Sequence, residues 1–505
     1  MSIIRFNPSD IELFAAASHD QNPLHVSLLY ARRTAVGEPV VFGILSALAA
    51  LSEIPNQPGQ VLGSVALTFR NPLFANVDYE LSIAERKSGQ FKISIKDAGR
   101  IMLTGQLGYR HEAVVEQAVW CVAADPQTKA LSRPMVEFKP GLTVMGEYGP
   151  SAGPLQELIE RWHLSDKGVS RERLSILLWC SYVVGMHLPG EPAVFSQLRL
   201  EFEPASTFDH LPLSYVANVT SFDERFDLLQ VEAALARGSV PSARGELSAF
   251  VRRDSPRVSV HELAEKIPRS MALSGKTALV IGGSRGLGAA LVAALASQGC
   301  HVFLNYLNST DEAFALQERL HECSGGVTLF QGDATDVKWC RQLRTQLMNQ
   351  GTDLDFLVCN ASPPIGNLGF GLDSVARIIA FVDKSLSLAC VPLAGFFDLL
   401  ESRGGQVVLI SSAVAAEGAH DYPPDWFHYV SAKYALEGLV RAIASQSSQL
   451  KFLIVRPPRL LTDQTNTTHG RQGAIPVEGV AAAIVKRLCD PGTNAKLETF
   501  ELSDP

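Results

Sequence analysis

The sequence predicts two architectures in one chain. Toward the C-terminus it predicts an α/β unit built on a parallel sheet, and before that an α+β region of helices and antiparallel strands. Three observations carry this. From residue 274 onward, short β-branched runs alternate with helical patterns. Before residue 253, an apolar helix followed by four strand-like runs occurs, and the same order then recurs. Between the two lies a stretch of mixed charge containing Pro256 and Pro268. Such a stretch reads as a linker.

In the first copy, residues 40–52 predict the apolar helix, and residues 61–69, 79–86, 91–97 and 101–109 predict strands. In the second copy, a helix over 170–186 precedes strands at 194–202, 213–221, 228–236 and 245–252. Helix then antiparallel strands, twice, is an internal repeat of roughly 100 residues. A sheet curved around a long apolar helix is the simplest way to bury both. Linkers are expected near 111–140 and 253–274. Farther on, strands are predicted at 277–281, 301–304, 327–331, 354–359, 406–410 and 451–455. Helices are predicted at 287–298, 311–322, 337–349, 374–400 and 429–446. This βαβα order gives a parallel sheet with helices on both faces. The expected domains are 1–115, 140–253 and 274–505.

The bulk properties narrow the function. A chain of 505 residues holds roughly three domains. With 46% hydrophobic and 19% charged residues the composition is that of an ordinary soluble protein. A net charge of -8 argues against a nucleic-acid binder. The 8 cysteines form no Cys-x-x-Cys pair, so they read as reduced thiols and not as a disulfide or zinc framework. The start, Met1-Ser2-Ile3-Ile4-Arg5, lacks the pattern of a secretory leader. The apolar stretch over 40–51 is too short to span a bilayer. A cytoplasmic protein with neither membrane nor metal is expected.

In the C-terminal part, Gly282-Gly283-Ser284-Arg285-Gly286-Leu287-Gly288 follows a strand and opens a helix. Gly282 permits the tight turn, while Gly286 and Gly288 let backbone and helix approach a dinucleotide whose pyrophosphate sits at the helix's positive end. An ordinary glycine-rich turn is the other reading of that motif alone. The next strand ends Asn305-Tyr306 without the carboxylate that would hold both ribose hydroxyls of NAD. With Arg285 in the turn, this favours NADP(H); a solvated surface charge is the alternative for Arg285. Tyr429 and Lys433 share a helix face at a spacing of four. A free phenol loses its proton near pH ~10, so a neighbouring ammonium is expected to make Tyr429 a useful acid while a serine hydroxyl polarises the carbonyl.

Taken in order, residues 281–288, Asn360-Ala361-Ser362, Ser411-Ser412 and Tyr429–Lys433 resemble the short-chain dehydrogenase/reductase family, specifically its 3-oxoacyl-thioester reductases, over about 274–500. The resemblance implies a Rossmann-type fold with Ser412, Tyr429 and Lys433 as the catalytic set. It also implies Asp333 near the adenine, Asn360 and Ala361 beside the cofactor, Thr462 at the carboxamide, and pairing of subunits through the long helices. This chain departs from the family at Ile281, where Thr is usual, at Ser385, where a catalytic Asn is usual, and at Pro457-Pro458-Arg459, where Pro-Gly is usual. The extra residues His420-Asp421-Tyr422-Pro423-Pro424-Asp425-Trp426 read either as a substrate-facing loop or as a surface insertion.

Near the start, Asp20-Gln21-Asn22-Pro23-Leu24-His25 places an acid and an imidazole on either side of a turn-forming pair. Dehydrating a 3-hydroxyacyl thioester needs a base for the Cα proton, an acid for the leaving hydroxyl and donors for the enolate oxygen. His25 suits the first task and Asp20 would orient the hydroxyl or its water, the sequence leaving open which of the two carries which proton; Gly43, opening the apolar helix, offers a backbone N–H. The hexamer, with Tyr30-Ala31 and Val40-Val41-Phe42-Gly43 after it, resembles the hydratase-2 (MaoC-like) hotdog family over about 8–110, and more weakly over 141–253. The departures are His19 for Gly and Phe42 for His. The second repeat carries only Glu147-Tyr148-Gly149-Pro150 before its helix, which implies one active and one degenerate half of a double hotdog, the latter shaping an acyl tunnel. His163 and His187 read as structural.

Together the resemblances imply a bifunctional, NADP(H)-dependent 3-oxoacyl reductase and 3-hydroxyacyl dehydratase. Its substrate would be an acyl thioester on acyl carrier protein or CoA, and the product a trans-2-enoyl thioester for fatty-acid or polyketide processing. One alternative is the reverse pair, hydration then oxidation of enoyl-CoA with NAD. Another is a non-catalytic carrier-binding scaffold.

Overall fold

The structure is a computed structural model and describes residues 2–112, 127–204, 212–323, 325–419, 422, 424–490 and 495–502. Residues 113–115 of the expected first domain, and His420, Asp421 and Pro423 of the expected insertion, lie outside the described residues. The chain divides into two compact units, Met1–Arg32 with Val36–Asp254, and Arg33–Ala35 with Ser255–Pro505.

The first unit holds β1 (Ser2–Arg5), α1 (Pro8–Ser18), α2 (Pro23–Val26), α3 (Leu28–Ala31), α4 (Gly43–Ser52) and β2 (Gln60–Phe69). Then come β3 (Asp78–Lys87), β4 (Gln90–Asp97), β5 (Arg100–His111), β6 (Thr143–Tyr148), α5 (Ala152–Arg161) and α6 (Arg171–Tyr182). Strands β7 (Ala193–Phe202), β8 (Leu213–Asp223), β9 (Leu228–Arg237) and β10 (Val240–Val251) complete it.

All ten strands form one sheet in the order β1-β3-β4-β5-β2-β7-β10-β9-β8-β6. Read outward from its centre, each half has the same order, which is the repeat. The halves join where β2 pairs antiparallel with β7, from Ser64 opposite Glu201 to Thr68 opposite Gln197. Strand β4 shows the alternation expected of a half-buried strand, with Phe91, Ile93 and Ile95 inward and Gln90 and Lys92 outward.

Helix α4 is built from Ala and Leu, strong helix formers, and is apolar all round. Ile44 through Leu51 are all buried, as are Glu172 through Tyr182 of α6. Truncating Leu48 to Ala in such a core costs about 2–5 kcal/mol. The expected helix over 40–52 begins only at Gly43, because Phe42 is its extended N-cap residue.

The second unit runs α7 (Val260–Lys266), β11 (Thr277–Ile281), α8 (Gly286–Ser297), β12 (His301–Tyr306), α9 (Thr310–Arg319) and β13 (Val327–Gln331). It continues with α10 (Val337–Asn349), β14 (Phe356–Cys359), α11 (Val375–Ser402), β15 (Gln406–Ile410), α12 (Phe427–Gln446), β16 (Lys451–Arg456), α13 (Val477–Cys489) and β17 (Leu497–Glu501). The sheet order is β13-β12-β11-β14-β15-β16-β17 and every pairing is parallel. Strand order reverses beside β11, so the carboxyl ends there frame the crevice that such sheets use for ligands. The expected linker at 253–274 contains α7.

Among the described residues, one helix, Leu372–Ser402, is long and apolar enough to cross a membrane by length and composition. Phe381, Ala389, Leu393, Phe396 and Leu400 bury one face of it, with Pro392 inside.

Candidate active sites

In the second unit, helix α8 starts directly after the glycine turn. Gly282 has φ 75°, a left-handed backbone that glycine adopts without strain. A Cβ on Gly288 would lie 2.6 Å from Asn360 Nδ2, so that glycine is what lets β11, the turn and α8 close up. Asn360 Nδ2 donates to Gly282 O at 2.9 Å, and Ala361 N donates to Ile281 O at 3.0 Å. Leu287 is core, whereas Ser284, Arg285 and Gly286 are partly exposed.

Two expected cofactor residues have other work. The Asn305 amide donates to Gly332 O at 3.0 Å and Phe330 O at 3.3 Å, while its oxygen accepts from Gly282 N at 3.4 Å. It is buried and braces the turn through backbone partners. Arg285 Nη1 donates to Asp463 Oδ2 at 2.7 Å. The guanidinium is therefore paired within the protein. Asp333 Oδ1 accepts from Thr335 N at 2.9 Å and holds its own turn. A Cβ on Gly286 would sit 3.4 Å from Thr462 Cγ2, so Thr462 lies over the start of α8.

The residues closing β15 are met in sequence by one face of α12. Ser412 hydrogen-bonds to the Tyr429 phenol. Lys433 Nζ donates to Ile410 O at 3.0 Å and lies 5.4 Å from the Tyr429 ring centroid. One turn on, Glu437 Oε1 accepts from Ser411 Oγ at 2.6 Å, and its Oε2 accepts from Arg456 at 2.7 Å.

Burial raises the Tyr429 phenol, and the Ser412 hydrogen bond opposes it. The Lys433 ammonium, expected to acidify the phenol, sits over its ring and donates to a carbonyl. Burial brings Lys433 down to about 8, against the attraction of Glu437. Ser385 is buried and its hydroxyl donates to Phe381 O at 2.7 Å on its own helix.

In the first unit, α1 ends at His19 in a left-handed conformation with φ 57°. That backbone explains why glycine suits the position. Asp20 follows, 1% exposed. Its Oδ2 accepts from Ser181 Oγ at 2.7 Å and its Oδ1 from Asn22 N at 3.1 Å. Asn22 caps α2 by accepting from Leu24 N at 3.0 Å and donates to Gly185 O at 2.9 Å and Gly190 O at 3.0 Å. A Cβ on Gly185 would come within 2.7 Å of Asp20 Cγ.

Ser181 is on α6, and Gly185 is in the π-helical turn Val183–His187 that ends it. The second repeat thus builds the cage around Asp20, beyond the tunnel-shaping part expected of it. Nothing but a serine in a buried run, Trp179-Cys180-Ser181-Tyr182, signals this in the sequence. The second repeat reaches the corresponding turn with His163 left-handed, φ 46°, followed by buried Leu164 where the first has Asp20.

His25 Nδ1 meets Val40 O at 2.8 Å, so Nδ1 carries the proton and Nε2 is left as an acceptor. Phe42 stacks on the imidazole with centroids 3.9 Å apart. Gly43 heads α4, where a first-turn N–H has no partner within the helix; a Cβ there would lie 2.8 Å from the Phe69 ring.

Burial lifts the Asp20 carboxyl to about 7, against the hydrogen bonds from Ser181 and Asn22. Burial also pushes His25 down to about 4, opposed by the Val40 hydrogen bond and reinforced by the positive charge of Arg252. Near neutrality a protonated acid and a neutral base are thus available together. His187 packs edge-on to Tyr182 at 5.0 Å, a structural contact.

Residues 276–472 match the model of the short chain dehydrogenase family. The chain is 30% identical to elsinochrome reductase 1 of Elsinoe fawcettii over 199 residues, 38% of this chain and 70% of that protein. The chain belongs to the short-chain dehydrogenase family. Within that family it is also 27% identical to a 3-oxoacyl-(acyl-carrier-protein) reductase of Haemophilus influenzae, covering 46% of this chain and 92% of that one. A solved alcohol dehydrogenase from Thermococcus sibiricus, complexed with 5-hydroxy-NADP, covers 45% of this chain and 95% of its own, at 24% identity and TM-score 0.40. Residues 2–104 match the MaoC like domain model, so the chain joins a MaoC-like hotdog domain to a short-chain dehydrogenase domain.

Proposed function

We propose that the chain is a bifunctional enzyme that reduces 3-oxoacyl thioesters and dehydrates the 3-hydroxyacyl products to trans-2-enoyl thioesters. The observation that carries this reading is a proton-handling set in each unit: Ser412, Tyr429 and Lys433 in one, Asp20 and His25 in the other. The likeness to a 3-oxoacyl-(acyl-carrier-protein) reductase supports the substrate class.

The glycine turn has the shape a dinucleotide needs: positive φ at Gly282 and Gly286, and no room for a side chain on Gly288. The turn's N–H groups would hold the pyrophosphate, Asp333 and Ala361 would border the adenosine, and Thr462 and Lys433 would hold the nicotinamide end. NADPH supplies hydride when bound. Ser412 polarises the 3-oxo group and Tyr429 gives its oxygen a proton.

In the hotdog unit, His25 Nε2 takes the Cα proton and Asp20 passes its proton to the hydroxyl, which leaves as water. The Gly43 N–H at the head of α4 holds the enolate oxygen; losing such a donor costs about 3–4 kcal/mol of barrier in other enzymes. Opposed environments for two titratable groups are how acid and base roles are assigned.

The test supplies a 3-oxoacyl thioester with NADPH or NADH and follows both nicotinamide oxidation and enoyl product. Tyr429→Phe should stop reduction and spare dehydration of a supplied 3-hydroxyacyl thioester, and Asp20→Asn should do the opposite. Loss of both activities from either change in folded protein would refute the two-site assignment.

A further inference from the structure

The turn after β16 reaches back to the glycine turn after β11. Thr462 lies over Gly286, and the next residue, Asp463, is only 16% exposed in its side chain. Its Oδ2 accepts a hydrogen bond from Arg285 Nη1 at 2.7 Å. The Asp463–Thr465 turn is fixed in place: Thr462 N donates to Thr465 Oγ1 at 2.9 Å, and Leu461 N donates to Ile475 O at 2.8 Å. The end of β12 adds no charge, since Asn305 is buried in backbone bonds and Tyr306 and Leu307 follow it. The cation of the glycine turn is therefore held by a carboxylate that is also bonded by Ser255 and lies near Arg33 and Glu312.

We propose that Asp463 is a specificity-determining residue that competes with a 2′-phosphate for Arg285. This rests on the nicotinamide cofactor reading above and concerns which form of the cofactor is preferred. A 2′-phosphate brings nearly two negative charges to a guanidinium that Asp463 already neutralises. A ribose hydroxyl makes no such demand on it. Asp463 thus holds the preference for a phosphorylated dinucleotide below what Arg285 alone would give.

Equilibrium binding of 2′,5′-ADP and of 5′-ADP, read by calorimetry, tests this without turnover. Asp463→Asn should tighten 2′,5′-ADP on the order of tenfold and leave 5′-ADP within about twofold. In an Arg285→Ala background the same substitution should change neither ligand. Asp463→Ser repeats the test if the asparagine variant does not fold. The proposal fails if both ligands tighten alike, if neither changes, or if the effect survives without Arg285. Should neither ligand bind any form of the protein, the cofactor reading itself fails along with it.

Discussion

Replacing Ser181 with Ala removes one hydroxyl from α6 and leaves the hexamer with Asp20 and His25 untouched. That hydroxyl donates to Asp20 Oδ2 at 2.7 Å inside a closed site. A hydrogen bond to an ionised group contributes about 1.5–3 kcal/mol, and one between neutral groups about 1 kcal/mol. The difference, roughly 1–1.5 kcal/mol, is what ionised Asp20 loses relative to its protonated form. At about 1.36 kcal/mol per pH unit, its titration should rise by about one unit from the present value near 7.

Dehydration requires Asp20 protonated and His25 neutral, so kcat/KM should describe a bell with limbs near 4 and 7 in the native protein. In Ser181→Ala the upper limb should move to about 8 while the lower stays. The assay is the rise of enoyl-thioester absorbance from a 3-hydroxyacyl thioester across that range. If the upper limb stays put, or the lower one moves instead, Asp20 is not the proton donor and the division of labour between carboxyl and imidazole is wrong.

Three further outcomes follow from the same geometry. Gly185→Ala should abolish dehydration and leave reduction intact, because the added carbon would lie 2.7 Å from Asp20 Cγ; assaying both reactions in one preparation checks it. A raised carboxyl stabilises the fold below its unfolded pKa of 3.8 and loses that stabilisation as pH rises through about 7. Asp20→Asn should therefore gain on the native protein as pH rises, by roughly 4 kcal/mol at pH 8, seen as a pH-dependent difference in melting temperature. Lys433 titrates near 8, so reduction should decline above that pH; Glu437→Gln, which removes the charge that favours the ammonium, should bring the decline to lower pH.

The parts of the fold that are regular were legible in the residues. Strands β11 and β15 and helix α10 begin and end where their apolar patterns do, because buried parallel strands and amphipathic helices write their period directly into the chain. Edge strands β1, β6 and β17 were not legible. They are short, and their neighbours, not their own alternation, define them. The reactive residues were readable because each set is local: Tyr429 and Lys433 are one turn apart, and Asp20 and His25 share a hexamer. Their supports were not. Ser181 acts on Asp20 across 161 positions, and Asp463 meets Arg285 across 178. Such pairs exist only once the sheet has closed. Asn305 shows the same limit, since its amide answers to carbonyls on β13 and just beyond it.

The seam between β2 and β7 has a consequence for how this enzyme can change. Two identical subunits meeting at such a seam would each have to serve as both bearer of the acid and wall for the other's acid. Joining the copies in one polypeptide divides those duties, so Leu164 could take over an acidic position while Ser181 and Gly185 came to serve the opposite half. Either copy alone would carry an incomplete pocket. Separating them between residues 112 and 127 should therefore yield fragments that lack dehydration singly and regain it only when mixed.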